Sequence, residues 1–288
     1  MLKKAVITAA GLGTRLLPMS KELPKEMLPI YVKSGEGLTL KPLLQALFEQ
    51  LYGLGFRNFI FVVGRGKRAI EDHFTPDWDF VRRLNSKGKN KLAASLERFY
   101  KMIEGSSIAF VNQPEPRGFG HAVLMARHFI EGEPFLVCAG DTYIISEGGN
   151  FFKRMISEFK EDVSAVLLLQ TVIDPRQYGV AIIQSLEGRN LVTRVVEKPE
   201  KPPSNYAIMP FYIFRPEIMR ILEKLKPGVG GEIQLTDAIQ TLIDQGQKVV
   251  GEFLRDDEVR LDIGTPETYW EALKLSYNHA IREGTSHK

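Results

Sequence analysis

The stretch KKAVITAA at the start of the chain places the strongest constraint on its fold. Lys3–Ala9 is β-branched and apolar without alternation, which is typical of a strand buried on both faces of a parallel sheet. After Pro42, apolar residues recur at helical spacing until Gly53, and a second strand-like run, NFIFVVG, occupies residues 58–64. The sequence therefore predicts a β-α-β unit of ordinary size.

The same alternation continues through the middle of the chain. Strand-like runs lie at 107–112, 134–139 and 163–171, and helical patterns lie near 120–130 and 151–160. This order predicts an open α/β sheet. Beyond Tyr178 the strands become short and closely spaced (VAII, LVTRVVE, NYAIMPFYIF), which predicts a small, partly antiparallel subregion over one end of the sheet.

Helical patterns return in the last third of the chain, at 216–225 and 235–243. A final helix is expected to begin with Thr265 as N-cap and Pro266 in its first turn, and it carries aromatic residues on one face. By contrast, residues 80–96 include five basic residues and no acid. We interpret that segment as a solvated excursion rather than an anion-binding patch, because aromatic residues are not interleaved with the charges.

Composition excludes several classes of protein. The 288 residues are 44% apolar and carry a net charge of +3, a bias too weak to argue for nucleic acid or an anionic membrane as partner. The uncharged apolar run at residues 163–173 is shorter than the ~20 residues that span a bilayer. The apolar run after Lys4 is also too short for a signal peptide. The only cysteine, Cys138, lies in an apolar run, which predicts a core position and a reducing, cytoplasmic location.

The glycine turn AGLGTR after the first strand is the leading candidate for a binding site. It lacks the P-loop pattern, and the third glycine of a dinucleotide-binding turn is replaced by Leu16, with Pro18 ending any helix early. A plain structural turn stays possible. However, the guanidinium of Arg15 beside exposed backbone N–H groups suits phosphate oxygens, and Lys25 could add a second positive charge.

The segment GLGTRLLPMSKELPKEMLPI resembles the signature of the sugar nucleotidyltransferases, in particular that of the prokaryotic-type UDP-glucose pyrophosphorylases. Seven further segments occur in the order found in that family: EDHFTPDWDF, QPEPRGFGHAVLMAR, CAGDTYI, QYGVAII, VVEKP, GGEIQLTDAI and LDIGTP. The resemblance implies a Rossmann-like α/β fold, with an open, mixed, mostly parallel twisted sheet flanked by helices and a small, partly antiparallel sugar-binding subregion.

The resemblance also implies a domain organisation and a reaction. Residues 1–288 would form a single nucleotidyltransferase domain, with a nucleotide-binding part at about 1–175, a sugar-phosphate-binding part at 176–265 and a C-terminal helix at 266–288. The phosphate of α-D-glucose 1-phosphate would attack the α-phosphorus of UTP in line, with Mg²⁺ as cofactor, giving UDP-glucose and pyrophosphate. Relatives are commonly dimers or tetramers, so the aromatic final helix is expected to contact a second copy.

Each site residue follows from the match to a family motif. The residues assigned to catalysis are Arg15, Lys25 and Asp141. The residues assigned to the nucleotide are Ala10, Gly11, Gly13, Thr14, Glu26, Gln113 and Gly118, of which Gln113 and Gly118 would read uracil. The residues assigned to the sugar phosphate are Gly179, Glu197, Lys198 and Glu232. The metal ligands would be Asp141 and Asp262, whereas His121 is expected to be structural.

Two alternatives stay open. One is a related transferase that uses dTTP or another hexose 1-phosphate. The other is a non-catalytic nucleotide-sugar-binding regulatory protein, which the retained Arg15, Lys25, Asp141 and Lys198 disfavour. The insertion YVKSGEGLTLKP departs from the family pattern and is expected to alter the entrance to the nucleotide site.

Overall fold

A computed structural model describes residues 2–34, 37–186 and 188–285. The strands are β1 (Lys4–Ala9), β2 (Pro29–Ser34), β3 (Gly37–Pro42), β4 (Asn58–Val63), β5 (Ser107–Asn112), β6 (Phe135–Ala139), β7 (Thr142–Ile145), β8 (Ala165–Thr171), β9 (Gly179–Leu186), β10 (Arg189–Glu197), β11 (Tyr206–Phe214), β12 (Val249–Phe253) and β13 (Val259–Asp262). The α-helices are α1 (Leu43–Gly53), α2 (Arg68–His73), α3 (Trp78–Ser86), α4 (Asn90–Glu104), α5 (Phe119–Met125), α6 (Arg127–Ile130), α7 (Asn150–Glu158), α8 (Glu217–Lys224), α9 (Leu235–Asp244) and α10 (Pro266–Thr285). Short 3₁₀ turns lie at Thr14–Leu16, Met19–Lys21, Lys25–Met27, Glu147–Gly149 and Val229–Gly231.

The main sheet is mixed, as the resemblance implied, but it is not mostly parallel: among the described residues four of its strand pairings are parallel and five are antiparallel. Within the described ranges it has nine strands in the order β5-β4-β1-β6-β11-β8-β12-β10-β9. Strands β5, β4, β1 and β6 are parallel neighbours, and β12 is parallel to β8. Strand β11 is antiparallel to both β6 and β8, and the β10–β9 pair closes one edge in the antiparallel sense.

One prediction about the second half of the chain is wrong. The three strands after Tyr178 were expected to lie together over one end of the sheet, but β11 is inserted between β6 and β8 in the middle. The apolar run YAIMPFYIF is buried on both sides, with Phe211 and Phe214 fully inaccessible, so a central position buries far more apolar surface than an edge would.

Helices cover both faces of the sheet. Successive side chains along a strand point alternately to the two faces. On β1, Ala5 and Ile7 pack into a core shared with α1, α4 and α7, while Val6 faces a second core with α5, α8 and α9. Cys138, on β6, is fully buried as predicted, and burial raises the pKa of its thiol. The unbroken apolar strands thus reflect burial on two sides.

A smaller core lies beside the main sheet, under α10. It contains the β2–β3 hairpin, formed by the inserted segment, and the antiparallel β7–β13 pair. Thr265 caps α10 as predicted: the Thr268 N–H donates to Thr265 Oγ1 at 3.2 Å, and the Thr265 N–H donates to Thr268 Oγ1 at 2.9 Å. Pairing of β7 with β13 places Thr142 opposite Asp262.

The basic segment 80–96 is solvated, as expected, but it is helical. Its five basic side chains are exposed on α3 and around the start of α4, while Val81 is buried and Trp78 contacts Tyr100 edge-on, with the ring centroids 5.4 Å apart. In the part of the chain that the structure covers, no helix combines the length and apolarity needed to span a membrane.

Candidate functional site

The carboxyl ends of the four parallel strands meet at one edge of the sheet. Ala9 of β1 pairs with Val63 of β4, Val63 pairs with Asn112 of β5, and Thr8 pairs with Ala139 of β6. The loops that follow these strands must therefore start side by side, which is where ligands bind in open α/β sheets.

A cavity of about 410 Å³ opens at this edge. Its lining includes ten of the residues singled out from the sequence: Ala10, Gly11, Gly13, Thr14, Lys25, Glu26, Gln113, Gly118, Asp141 and Glu232. The others lie in two groups outside the lining. Asp262 is close to Asp141, and Arg15 is close to Asp262, whereas Gly179, Glu197 and Lys198 cluster at the start of β9 and the end of β10.

The glycine loop folds back towards Lys25. Gly13 has φ = 66°, a left-handed conformation that favours glycine, and Ser20 Oγ donates to its carbonyl at 2.6 Å. A Cβ on Gly11 would lie 3.9 Å from Cε of Lys25. The loop backbone and the Lys25 ammonium therefore lie next to each other in the lining of the cavity.

Lys25 forms an ion pair with Asp141, its Nζ contacting Oδ2. Burial alone would lower the pKa of Lys25, but the Asp141 carboxylate outweighs burial and raises the pKa above its ordinary value. The ammonium is therefore charged at any working pH, next to the glycine loop.

Asp141 and Asp262 form a pair of neighbouring carboxylates. Burial, and then the negative charge of Asp141, raises the pKa of Asp262. Asp262 and Arg15 both approach Gly264 closely, because this residue has no side chain. A Cβ there would lie 2.9 Å from Asp262 Oδ2 and 3.4 Å from Arg15 Nη2. The Arg15 guanidinium thus extends towards the Asp262 carboxylate.

This carboxylate pair could hold a hard divalent cation. Among the described residues, no group of three or more His, Cys, Asp or Glu side chains is arranged as a cation site. Two carboxylates nevertheless suit a cation that takes its other ligands from water and substrate phosphates. The raised pKa of Asp262 is consistent with this, since a cation would relieve the repulsion between the two charges.

Gln113 stands at the end of β5 and is 5% exposed. Its N–H donates to the Val63 carbonyl at 2.7 Å, and its side-chain Nε2 lies 3.2 Å from the Gly118 carbonyl and 3.0 Å from His121 Nδ1. These contacts fix the orientation of the carboxamide. His121 therefore helps to orient the Gln113 side chain, which agrees with the structural role expected of it.

Gly118 and Glu232 are packed against each other in the wall of the cavity. Gly118 has φ = 104°, and a Cβ there would lie 2.7 Å from the Ile233 carbonyl oxygen and 2.8 Å from Glu232 Cβ. No side chain fits at this position. Glu232, assigned to the sugar by resemblance, therefore borders the same space as the residues assigned to the nucleotide.

The second group lies where β9 begins and β10 ends. Gly179 pairs with Glu197 across the two strands, and Thr236 Oγ1 donates to Glu197 Oε2 at 2.6 Å. A Cβ on Gly179 would lie 2.9 Å from Thr236 Oγ1 and 3.2 Å from Glu197 Oε2, so any other residue there would displace these side chains. Lys198 adopts φ = 41°, rare for a residue with a side chain, and its Nζ lies 3.5 Å from Glu197 Oε1.

Sequence reasoning missed several residues that support this site. Lys67 forms an ion pair with Glu26 at 2.8 Å, and their side chains are only 8% and 2% exposed. Its position four residues past β4, at the same edge of the sheet, was an available signal. Thr236 lies within the quoted motif GGEIQLTDAI, and Arg260 stands two residues before Asp262, yet neither was assigned.

Comparison with known proteins gives a consistent result. The family model for nucleotidyl transferases matches residues 4–278. A UTP–glucose-1-phosphate uridylyltransferase of Bacillus subtilis (strain 168) is 43% identical over 246 residues, covering 84% of this chain and 80% of the relative. One from Pseudomonas aeruginosa (strain PAO1) is 34% identical over 293 residues and covers 100% of both chains. A crystal structure of UDP-glucose pyrophosphorylase complexed with UDP-glucose superposes with a TM-score of 0.82 at 34% identity, covering 97% of this chain and 100% of that one.

Proposed function

Because this chain belongs to the nucleotidyl transferase family, we propose that it makes UDP-glucose and pyrophosphate from UTP and α-D-glucose 1-phosphate. The observation that carries the proposal is the meeting of Lys25, Asp141 and the glycine loop at one cavity. Relatives named for this reaction align over most or all of the chain.

The triphosphate of UTP binds along the glycine loop. The backbone N–H groups around Gly11 and Gly13 approach phosphate oxygens closely, and Thr14 adds a hydroxyl. Arg15 and Lys25 supply fixed positive charges for the charge that spreads over oxygens during transfer. In the free protein Asp141 balances Lys25, so the ammonium is held in place before substrate arrives.

Asp141 and Asp262 would hold Mg²⁺. When bound, the ion neutralises phosphate charge and polarises the phosphorus–oxygen bonds. The chain itself contributes the two carboxylates and the β7–β13 pairing that keeps them adjacent. Their small number fits Mg²⁺, which retains water and takes phosphate oxygens as further ligands.

The base and the sugar phosphate are held by different parts of the chain. Gln113 offers a carboxamide to the pyrimidine edge, with Gly118, Ala10 and Glu26 lining the pocket around it. At the other group, Glu197 accepts hydrogen bonds from sugar hydroxyls and Lys198 meets the sugar phosphate. The residues proposed for the sugar phosphate are Gly179, Glu197 and Lys198 of this group, together with Glu232, which lines the cavity itself.

Attack needs no general base in this arrangement. The nucleophile is an oxygen of the sugar phosphate, which is already an anion, so the site needs only to align it with the α-phosphorus as pyrophosphate departs. His121 is therefore free to serve as a support for Gln113, and burial lowers the pKa of its imidazole, which keeps it neutral.

The proposal extends to the organisation of the molecule. Residues 1–175 form a Rossmann-like nucleotide-binding part and residues 176–265 the sugar-phosphate part of one domain. The last helix, α10 (Pro266–Thr285), contacts a second copy: Trp270, Tyr277 and Ile281 are 65%, 42% and 43% exposed. The last three residues of the predicted range, 286–288, lie outside the described residues. With UTP as its substrate, the enzyme acts in the cytoplasm.

A matrix of five nucleoside triphosphates (UTP, dTTP, CTP, ATP and GTP) against several hexose 1-phosphates tests the function. We expect Mg²⁺-dependent pyrophosphate release to be fastest with UTP and glucose 1-phosphate. Faster turnover with dTTP or another hexose would assign the chain to the related transferases. Binding without turnover for every pair would identify a regulatory protein.

The catalytic roles are tested by Arg15→Ala and Asp141→Asn. Each should reduce kcat by about 10²–10³, the usual loss when one preorganised charge or donor is removed. Lys21→Ala, in the same segment but with a side chain 76% exposed, is the matched control and should retain normal turnover. Wild-type rates in the first two variants would refute the assignment.

A further inference from the structure

Arg260 connects the two parts of the proposed site. It lies on β13, two residues before Asp262, so both side chains point to the same side of the strand. Its Nη2 donates to the Tyr178 hydroxyl at 2.9 Å, and its guanidinium carbon lies 5.2 Å from the centroid of the Tyr178 ring. A hydrogen bond and a cation–π contact thus join one pair of half-buried residues.

Tyr178 in turn fixes the loop that carries Lys198. The Lys198 N–H donates to the Tyr178 carbonyl at 3.0 Å, directly after the Gly179–Glu197 pair of the β9–β10 ladder. This contact holds Lys198 in its left-handed backbone conformation, with φ = 41°. Such strained positions persist only where neighbouring contacts over-determine them, and the direction of the Lys198 side chain depends on that backbone.

We propose that Arg260 is a positioning residue: through Tyr178 it fixes the Glu197–Lys198 loop relative to the strand that carries Asp262. This rests on the proposed function, in which Asp262 lies on the nucleotide side and Lys198 meets the sugar phosphate. The two substrates are then bound by separate elements of the chain. The Arg260–Tyr178 contact sets the distance between these two elements. A misplacement of about 1 Å between reacting groups can cost about 10²-fold in rate.

The test uses two conservative variants. Tyr178→Phe removes only the hydroxyl, and Arg260→Lys keeps the positive charge near Asp262 but loses the planar guanidinium that both donates and stacks. For each, we expect kcat/KM for glucose 1-phosphate to fall by about 10- to 100-fold, while KM for UTP stays within about twofold. The double variant should be no worse than Arg260→Lys alone, because both changes remove one connection.

Tyr52→Phe is the matched control. The ring of Tyr52 also contacts an arginine, with the guanidinium carbon of Arg57 3.7 Å from the centroid. Tyr52 lies near the end of α1 and Arg57 directly precedes β4, so this pair is at the amino end of that strand, whereas the proposed site is at the carboxyl ends. Its kinetic constants should equal those of wild type. Equal rises in KM for both substrates, additive losses in the double variant, or wild-type constants in Tyr178→Phe and Arg260→Lys would each overturn the proposal.

Wild-type assays run in parallel separate two kinds of failure. If the wild type forms no UDP-glucose, the proposed function falls and this inference falls with it. If the wild type is active and Tyr178→Phe matches it, only the role of Arg260 is refuted.

Discussion

Glu26 carries a carboxylate into a wall of the cavity that water hardly reaches. Burial raises the pKa of Glu26, and the Lys67 ammonium opposes that rise from 2.8 Å. In such a pair the attraction roughly offsets the cost of removing both charges from water, but loss of one partner leaves the other charge buried without compensation.

We therefore expect Lys67→Met to lower the free energy of unfolding by about 3–5 kcal/mol, measured by urea denaturation near neutral pH. The double variant Lys67→Met/Glu26→Met, which removes both charges, should recover most of that loss. Lys21→Met, at an exposed lysine, should change the free energy of unfolding by no more than about 0.5 kcal/mol. A loss below about 1 kcal/mol in Lys67→Met would show that the pair is not buried as described.

The sequence could identify most residues of the cavity but not their partners. The motifs were enough to select Lys25 and Asp141, because glycine loops and strand ends mark the edge where ligands bind. That Lys25 meets Asp141, 116 positions away, or that Lys67 meets Glu26, 41 positions away, depends on how the sheet is ordered. Periodicity in one sequence carries no information on that order.

At the level of elements, continuous apolar runs predicted the central strands well. Runs that are buried on both faces leave a strong signal: β6 (Phe135–Ala139) is buried throughout and begins one residue after the start of its predicted range, 134–139. The basic segment 80–96 is solvated as predicted, but its helices were not predicted, because α3 and α4 pack through few apolar residues, such as Val81 and Phe99. A helical pattern with so few apolar residues is hard to recognise in a sequence where most neighbouring residues are charged. The central place of β11 was missed because a strand pattern does not identify its neighbours.

Arg154 of α7 connects this helix to β12 and to the residue that precedes β13. From α7 it binds Glu258 through two nitrogens, at 2.6 and 3.0 Å, and it also contacts Glu252 of β12. Ser146 donates to Glu258 at 2.8 Å. Since Glu258 immediately precedes β13, this network anchors the strand that ends at Asp262.

The Glu258 carboxylate should make this anchor sensitive to acid. Burial would raise the pKa of Glu258, but the hydrogen bonds from Arg154 and other donors outweigh burial and lower the pKa below its usual 4.5. Its stabilisation is therefore fully present above pH 4.5 and is lost as the pH falls through the lower, folded-state pKa.

We expect Glu258→Gln to lower the free energy of unfolding by about 1.5–3 kcal/mol at neutral pH, the usual worth of hydrogen bonds to a charged group. The difference from wild type should shrink as urea denaturation is repeated below pH 4.5. Glu223→Gln is the control, because its 3.5 Å pair with Arg127 is half-exposed and contributes little. A difference between Glu258→Gln and wild type that grows in acid would contradict the assignment.

For the whole molecule, the order of the sheet joins the two proposed parts. Strand β11, from residues 206–214, is hydrogen-bonded to β6 and β8, which come from residues 135–171. The core on each face likewise contains residues from both halves, such as Val166 with Met209 and Val6 with Ile239. Neither half can keep its apolar surface buried without the other, so the proposed parts should not unfold separately.

Calorimetry of the full chain should therefore show a single transition, with calorimetric and van't Hoff enthalpies equal. UTP with Mg²⁺, added at about 100 times its Kd, should stabilise the protein by about 2.7 kcal/mol and move the whole transition upward. This holds although the nucleotide is proposed to touch mainly residues before 175, because in one cooperative unit a ligand bound anywhere stabilises every part. Two transitions, of which UTP moves only one, would instead show two independent domains. Pyrophosphate alone, at the same concentration as UTP, serves as a control. It occupies fewer of the proposed contacts and should bind more weakly, so it should produce a smaller shift of the same single transition.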